Sequence, residues 1–163
     1  MLLNLNLAKV QSGNILSAQG EIVVNSDILE TMCDDCDNIC KVNVEYCYNG
    51  EYVECRGDGL IHLKGNCYRC GEKVDVLHEF EFEDNILPAD SNVSDDAYYF
   101  KGDMVDITKL VEDSLVTSLP VQLLCKADCK GLCPHCYTNL NFGVCECAED
   151  TSNSPFAVLN NIK

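Results

Sequence analysis

Basic residues are scarce in this sequence. Its 163 residues include 11 Lys and Arg against 27 Asp and Glu, which gives a formal net charge of −16. A protein that grips nucleic acid along its backbone needs many cations to neutralise phosphates, so the composition argues against a large phosphate-binding surface. The charge instead favours a basic partner, although acidity can also serve solubility alone.

Catalytic signatures are also missing. The sequence contains no phosphate loop, no dinucleotide-binding glycine pattern, no HExxH motif and no convincing catalytic triad. Its three histidines include His62 and His78, which fall at predicted strand positions. These absences predict a protein that is not an enzyme.

Long apolar runs and export signals are absent as well. No stretch reaches the roughly 18 apolar residues that a membrane-spanning helix requires. Asn4 and Asn6 interrupt the apolar start of the chain, and no basic region precedes it. We therefore expect a cytoplasmic protein, in a compartment where thiols stay reduced. The 13 cysteines then favour metal ligation over disulfides, and an odd number cannot pair completely.

The middle of the chain has the pattern of a β-meander. Residues 41–83 alternate apolar and polar side chains, which is typical of antiparallel strands with one buried face. Turns are predicted at Asn49-Gly50 and at residues 57–59. Residues 1–24 predict short strands around a turn at 11–14, and residues 27–40 a loop or short helix.

An acidic loop and a helix follow the meander. Residues 84–103 are predicted to form the loop, and residues 81–113 together hold ten acids against two bases. Apolar residues at helical spacing predict a helix over residues 106–119, with Asp106 as its cap and Pro120 after its end. Its apolar stripe is interpreted as core packing. Residues 1–120 form the predicted β-rich domain, and residues 121–163 a cysteine-rich C-terminal segment and tail.

Six cysteines near the C-terminus predict a metal site. Cys133 and Cys136, separated by two residues, can curl around one ion, and Cys145 and Cys147 can supply the other pair. The other two candidate donors are Cys125 and Cys129. Four of these six thiols would close a tetrahedral zinc site, which is typical of structural rather than catalytic zinc. The sequence thus predicts an α+β fold: an antiparallel β-meander or partly open barrel, one main amphipathic helix and a C-terminal zinc knuckle.

A second metal site is a further hypothesis. Two CxxC pairs, Cys33 with Cys36 and Cys67 with Cys70, could together form a four-thiolate zinc ribbon. The remaining cysteines are interpreted as small buried apolar residues or incidental thiols. They are Cys40, Cys47 and Cys55.

Several of these motifs together resemble a known family. The string LCKADCKGLCPHC at residues 124–136, TNLN at 138–141 and Cys145-Glu-Cys147 are similar to the C-terminal zinc motif of the YceD family, the large ribosomal RNA subunit accumulation proteins. The helix over 106–119, the CYRC pair and SPFAVL at 154–159 also resemble family segments, so the resemblance covers about residues 39–163. One departure is Tyr137, where the family usually has glycine.

The resemblance implies a function in ribosome assembly. It implies accumulation or processing of 23S rRNA and hence large-subunit assembly. Together with the missing catalytic motifs and export signal, this leads us to expect a non-enzymatic cytoplasmic factor. The net charge favours a large-subunit ribosomal protein or an assembly intermediate as the direct partner, with rRNA contacted directly or indirectly. One alternative is an RNA-binding zinc module that uses Lys126, Lys130, Tyr137 and Phe142. The other is a thiol redox protein that uses Cys67 and Cys70, although these follow a meander rather than open a helix.

Overall fold

A computed structural model describes residues 1–10, 13–25, 27, 29, 37–91 and 96–147. It is mostly β-sheet with a few helices. The strands are β1 (Leu2–Asn4), β2 (Leu16–Val23), β3 (Ile39–Tyr48), β4 (Val53–Asn66), β5 (Lys73–Pro88), β6 (Tyr98–Phe100) and β7 (Met104–Asp106). The helices are α1 (Leu5–Val10) and α2 (Thr108–Ser118).

Five strands form one open sheet in the order β2-β3-β4-β5-β6. Strands β2 to β5 pair antiparallel with their chain neighbours, whereas β6 lies parallel to β5. Strands β1 and β7 form a separate two-stranded antiparallel sheet. The predicted meander is confirmed, but no pairing closes the described sheet into a barrel.

The core lies on one face of the sheet. Helix α1 contacts β3, and helix α2 contacts β5. Val44, Phe80 and Phe82 are buried on this face, as the alternation predicted. From α2, the buried residues are Leu110, Val111 and Leu115, so the interpretation of its apolar stripe as core packing is confirmed.

The predicted turn at residues 57–59 is wrong, because both glycines lie inside the single strand β4. Gly57 is directly opposite Phe82, and Gly59 is opposite Phe80. A Cβ atom at Gly57 would clash with the Asn43 carbonyl and the Phe82 ring, and one at Gly59 with the Phe80 ring. The glycines therefore make room for aromatic rings on the buried face instead of turning the chain.

Two further expectations need correction near the N-terminus and at the acidic stretch. Residues 5–10 form helix α1 rather than a strand, because Leu5 and Ala8 bury one side at helical spacing. The acidic stretch is strand in part, since β5 continues to Pro88 and β6 begins at Tyr98. Most of the predicted loop or short helix at residues 27–40 lies outside the described residues, as does the SPFAVL segment.

The predicted hairpin turn is confirmed, and the helix is confirmed with shifted bounds. Residues 49–52 connect β3 to β4, and Asn49 Oδ1 accepts the Tyr52 N–H at 3.0 Å. Helix α2 begins at Thr108, and its N-cap is Ile107 rather than the predicted Asp106, because Asp106 belongs to β7. Asp106 Oδ1 nevertheless accepts the Thr108 N–H at 3.0 Å, which serves a first-turn donor. No described helix has the length and apolar character to cross a membrane. The division at residue 120 stays a prediction.

We expect Gly57→Ala to destabilise the protein by about 2 kcal/mol, because the clash with a backbone carbonyl can be relieved only by moving a strand. Gly59→Ala should cost about 1 kcal/mol, since a ring can shift more easily. Gly143→Ala, where a Cβ meets nothing within 4 Å, is the control. Chemical denaturation of the three variants measures these differences. Equal stability of Gly57→Ala and Gly143→Ala would contradict this account of β4.

Candidate metal centres

Eight cysteines form two compact clusters of sulfur atoms. Within each cluster, all four Sγ atoms lie within 4.8 Å of one another, so each could hold a metal ion. The sheet-side cluster consists of Cys67, Cys70, Cys125 and Cys129. The C-terminal cluster consists of Cys133, Cys136, Cys145 and Cys147.

The six C-terminal candidates are therefore divided between two groups. Cys145 and Cys147 join Cys133 and Cys136, whereas Cys125 and Cys129 join the pair at Cys67 and Cys70. Cys33 and Cys36, which the ribbon hypothesis paired with Cys67 and Cys70, lie outside the described residues. Spacing along the chain could not reveal this grouping, because it depends on where the sheet brings a distant segment.

The turn between β4 and β5 carries the first half of the sheet-side cluster. Cys67 N–H donates to Glu72 O at 2.7 Å, and Gly71 N–H donates to Cys67 O at 2.8 Å. Gly71 has φ 72°, a left-handed conformation that glycine adopts without steric cost. This tight turn brings Cys67 and Cys70 to the same side of the hairpin end.

The C-terminal segment reaches that turn through a small number of hydrogen bonds. Tyr68 N–H donates to Leu123 O at 2.8 Å, just before Cys125. The Arg69 guanidinium donates to Cys129 O at 2.9 Å. As a result, Cys67 Sγ lies 3.8 Å from Cys129 Sγ, 62 residues away in sequence. Cys70 Sγ lies 3.6 Å from Cys125 Sγ, which is 55 residues away.

The C-terminal cluster repeats the turn of the first. Tyr137 N–H donates to Cys133 O at 3.0 Å, in the position that Gly71 occupies after Cys70. Tyr137 has φ 57° and is the one non-glycine residue with positive φ among those described. A Cβ disfavours the left-handed region, so a tyrosine in place of the family's usual glycine introduces backbone strain at this position. His135, between the two cysteines, is exposed.

The two clusters differ in burial. In the sheet-side cluster, Cys67, Cys70 and Cys129 are at most 5% exposed, and Cys125 is the one exposed member. In the C-terminal cluster, Cys136 and Cys147 are exposed. A metal in the C-terminal cluster would therefore be the more accessible of the two.

Each cluster contains thiols with opposite pKa shifts. Burial raises the pKa of Cys67, but backbone N–H groups such as that of Cys125 outweigh it and lower the pKa to about 6. The Thr138 hydroxyl, followed by its backbone N–H, lowers the pKa of Cys136 to about 6. Burial and neighbouring thiols raise the pKa of Cys125 to about 12, and the neighbouring Cys136 contributes most to raising that of Cys147 to about 12. Four thiols this close do not ionise together without a cation, which is the situation a metal resolves.

Two of the three remaining described cysteines are buried in the sheet, as predicted. Cys40 and Cys55 are 0% and 2% exposed, and burial raises their pKa to about 11 and about 12. Cys47 is half-buried. None of the three belongs to a cluster found within the described ranges.

Sequence reasoning missed the residues that support the sulfur atoms. Asn141 Nδ2 donates to Cys129 Sγ at 3.3 Å, and Asn139 Nδ2 donates to Glu72 Oε1 at 3.3 Å. Both asparagines belong to the TNLN string that follows the second turn. Their spacing of two residues directly after a CxxC pair is the signal that could have indicated them.

The histidines of the sheet do not form a nucleophile–base pair. His78 Nε2 lies 2.9 Å from Ser118 Oγ, but that hydroxyl donates its proton to Leu115 O at 2.8 Å. The serine can therefore only accept from His78 and is not activated by it. His62 Nδ1 lies 3.2 Å from Asp75 Oδ1 on the exposed side of the sheet.

Comparison with known proteins bears on the family. No solved structure matches this chain. The Arabidopsis thaliana protein called Large ribosomal RNA subunit accumulation protein YCED homolog 1, chloroplastic, is 28% identical over 86 residues. That alignment covers 51% of this chain but 27% of the plant protein, so the chain matches about a quarter of the length of this curated relative.

The profile of one family matches most of the chain. It covers residues 59–163, which include both cysteine clusters and helix α2, and its description is Large ribosomal RNA subunit accumulation protein YceD. The resemblance drawn from the sequence motifs is thereby confirmed: the chain belongs to the YceD family of large ribosomal RNA subunit accumulation proteins.

Proposed function

We propose that this protein is a non-enzymatic factor in large-subunit ribosomal RNA accumulation and that it acts by contacting a basic protein partner. The family name and the printed name of the plant relative support the ribosomal context. The observation that carries the choice of partner is a row of carboxylates on the open face of the five-stranded sheet. Large-subunit ribosomal proteins and assembly intermediates that contain them are partners of matching charge.

The row follows strand β5. Glu79, Glu81 and Glu83 alternate with buried residues, so all three project from the same exposed face. Asp58 of β4 is directly opposite Glu81 and extends the row sideways. Among the described residues, none of these three glutamates forms an ion pair. Their charges are therefore free to act on an approaching cation.

The neighbouring bases offset the row only in part. Arg56 is opposite Glu83, but its guanidinium pairs with Glu45 on the other side at 2.8 Å. Lys41 lines one cavity with Glu79 and is the single base among the residues that line it. Charges on such a surface act over a Debye length of about 8 Å at physiological salt, which suits attraction of a basic protein.

The clusters support zinc as the cofactor. Four sulfur atoms at about 2.3 Å from one zinc ion lie about 3.8 Å apart in a tetrahedron. The distances of 3.8 Å for Cys67–Cys129 and 3.6 Å for Cys70–Cys125 match that requirement. Thiolate-only donor sets favour zinc among the common divalent ions. We infer two zinc ions per chain, one in each cluster.

Both centres are best suited to a structural function. Four protein thiolates complete a tetrahedral shell and leave no position for water or substrate. The grouping also argues against redox use of Cys67 and Cys70, because two further thiols lie within 4.8 Å of them and would compete as ligands. We therefore retain the proposal that the protein is not an enzyme.

Direct RNA binding is a second candidate. Tyr137 and Phe142 are 75% and 81% exposed, which leaves their rings accessible for base stacking. Lys126 and Lys130 lie in the same segment and are exposed. Two lysines release few counterions, so the contribution of phosphate contacts would be small.

We expect two zinc ions per chain in protein purified without added metal. Cys67→Ser and Cys133→Ser should each lower the value to one, because each removes a ligand from a different cluster. Cys47→Ser, outside both clusters, should leave it at two. Elemental analysis measures the stoichiometry. The metal assignment would be refuted if the wild-type protein held less than half a zinc ion per chain and Cys133→Ser held the same amount.

The partner proposal is tested by comparing two triple variants that remove the same amount of negative charge from different surfaces. A triple variant with Glu79→Gln, Glu81→Gln and Glu83→Gln should weaken binding to purified large-subunit ribosomal proteins roughly tenfold. The matched control is Asp27→Asn, Glu51→Gln and Asp90→Asn, which changes the net charge equally at exposed positions away from the row and from both cysteine clusters. Titrations at one ionic strength, with naked 23S rRNA in parallel, give the affinities.

Two outcomes would contradict this proposal. Equal weakening by both triple variants would show that net charge matters and the row does not. Sub-micromolar binding to naked 23S rRNA, without measurable binding to any large-subunit protein, would favour the RNA-binding candidate. In that case Tyr137→Ala and Phe142→Ala should reduce RNA affinity.

A further inference from the structure

The two sulfur clusters are joined by a short polar bridge. Its residues are Asn139 and Asn141, which follow the second CxxC turn; Asn141 contacts Cys129 of the sheet-side cluster, and Asn139 contacts Glu72 beside it. Asn141 Nδ2 lies 3.3 Å from Cys129 Sγ, a sulfur atom in a residue that is 2% exposed. Because water has little access there, this amide is an important hydrogen-bond donor to the sulfur.

The orientation of the Asn141 amide is fixed by its other contacts. Its Oδ1 accepts the Lys130 N–H at 2.9 Å, so its nitrogen must face the sulfur. Asn139 Oδ1 accepts both the Asn141 backbone N–H at 3.0 Å and the Asn141 side-chain amide at 2.8 Å. Asn139 in turn donates to Glu72 beside the first CxxC turn. The donor to Cys129 is thus held in place by a network rather than by one bond.

The position of this network depends on the second CxxC turn. Tyr137 N–H donates to Cys133 O at 3.0 Å, and Cys133 N–H donates to Thr138 O at 2.9 Å. Thr138 Oγ1 also lies 3.2 Å from Cys136 Sγ. A metal that fixes Cys133 and Cys136 would therefore fix the start of the segment that ends at Asn141.

We propose that Asn139 and Asn141 couple the two metal centres, so that occupation of the C-terminal cluster strengthens zinc binding at the sheet-side cluster. This proposal rests on the assignment of zinc to both clusters. In it, Asn141 is a positioning residue for the Cys129 thiolate, and Asn139 holds Asn141 against Glu72. The reverse effect follows by thermodynamic linkage, so the two ions bind with positive cooperativity.

The test measures zinc affinity at each centre in the full chain. Zinc is titrated against a competing chelator, and each centre is followed by the protection of its own thiols from alkylation, read by peptide mass spectrometry. Cys147→Ser disables the C-terminal cluster, Asn141→Ala removes the bridge, and the double variant combines them. Asn43→Ala, whose amide contacts Asp58 on the sheet, is the matched asparagine control.

We expect Asn141→Ala to retain two zinc ions and to weaken the sheet-side centre roughly 10- to 100-fold, the usual effect of losing a hydrogen bond to a metal ligand. Cys147→Ser should weaken the same centre, and the double variant should be no weaker than Asn141→Ala. Asn43→Ala should change neither affinity. If Asn141→Ala acted only by destabilising the fold, it would lower the protection of the β-sheet amides from hydrogen exchange. We expect that protection to be unchanged in Asn141→Ala.

Unchanged sheet-side affinity in Asn141→Ala, or losses that multiply in the double variant, would overturn the coupling while leaving two zinc ions in place. A stoichiometry below two in the wild-type chain would instead overturn the zinc assignment itself, and the coupling with it. If Cys147→Ser does not fold, Asn141→Ala alone still tests the coupling, because by linkage it should also weaken zinc binding at the C-terminal centre, whereas Asn43→Ala should not. Unchanged affinity of the C-terminal centre in Asn141→Ala would then overturn the proposal.

Discussion

The contact between the C-terminal segment and the sheet is built around four sulfur atoms. Cys67 and Cys70 come from the turn between β4 and β5. Their partners Cys129 and Cys125 follow them in the chain by 62 and 55 residues, respectively. Between residues 120 and 147, the described part of the chain contains no helix and no named strand. Its buried apolar side chains are those of Leu123, Cys129 and Cys133, so burial contributes little to its stability. Its order therefore has to come from the sulfur clusters and their hydrogen bonds, and a metal ion is the component that would hold four thiols together.

The sheet has the opposite character, because its stability comes from packing. Its buried face is contacted by helices α1 and α2 and filled by residues such as Ile61, Leu63 and Phe82. Its other face is open to solvent and carries charged side chains, including the carboxylate row on β5. The proposed partner contact and the proposed metal centres thus use different parts of the molecule, so variants can separate them.

The sequence allowed the sheet to be predicted better than the clusters. Alternation in β3 and β5 reports directly which side chains face the core, and Asn49-Gly50 reports a turn through local conformation alone. Gly57 and Gly59 were misread because a glycine that admits an aromatic ring from the next strand looks the same in sequence as one that turns the chain. Helix α1 was missed because Leu5 and Leu7 alternate with Asn residues, as a strand would.

The CxxC spacing identified thiols suited to a metal but not their partners. That Cys67 meets Cys129 depends on the docking of residues 123–129 against the β4–β5 turn, which no local pattern encodes. The contributions of Asn139 and Asn141 are equally non-local, because each contacts a residue on another segment. Family motifs indicated this region, since the TNLN string lies within it, but they did not indicate what the asparagines contact.

Hydrogen exchange after chelation tests most directly whether sulfur-bound metal orders the C-terminal segment while the sheet stands alone. The account predicts fast exchange at amides bonded within the clusters, such as those of Gly71, Cys133 and Leu140, with protection retained at Val44 and Phe82. Unchanged protection at Cys133 and Leu140 after complete metal removal would contradict it. So would loss of protection that is uniform across the segment and the sheet.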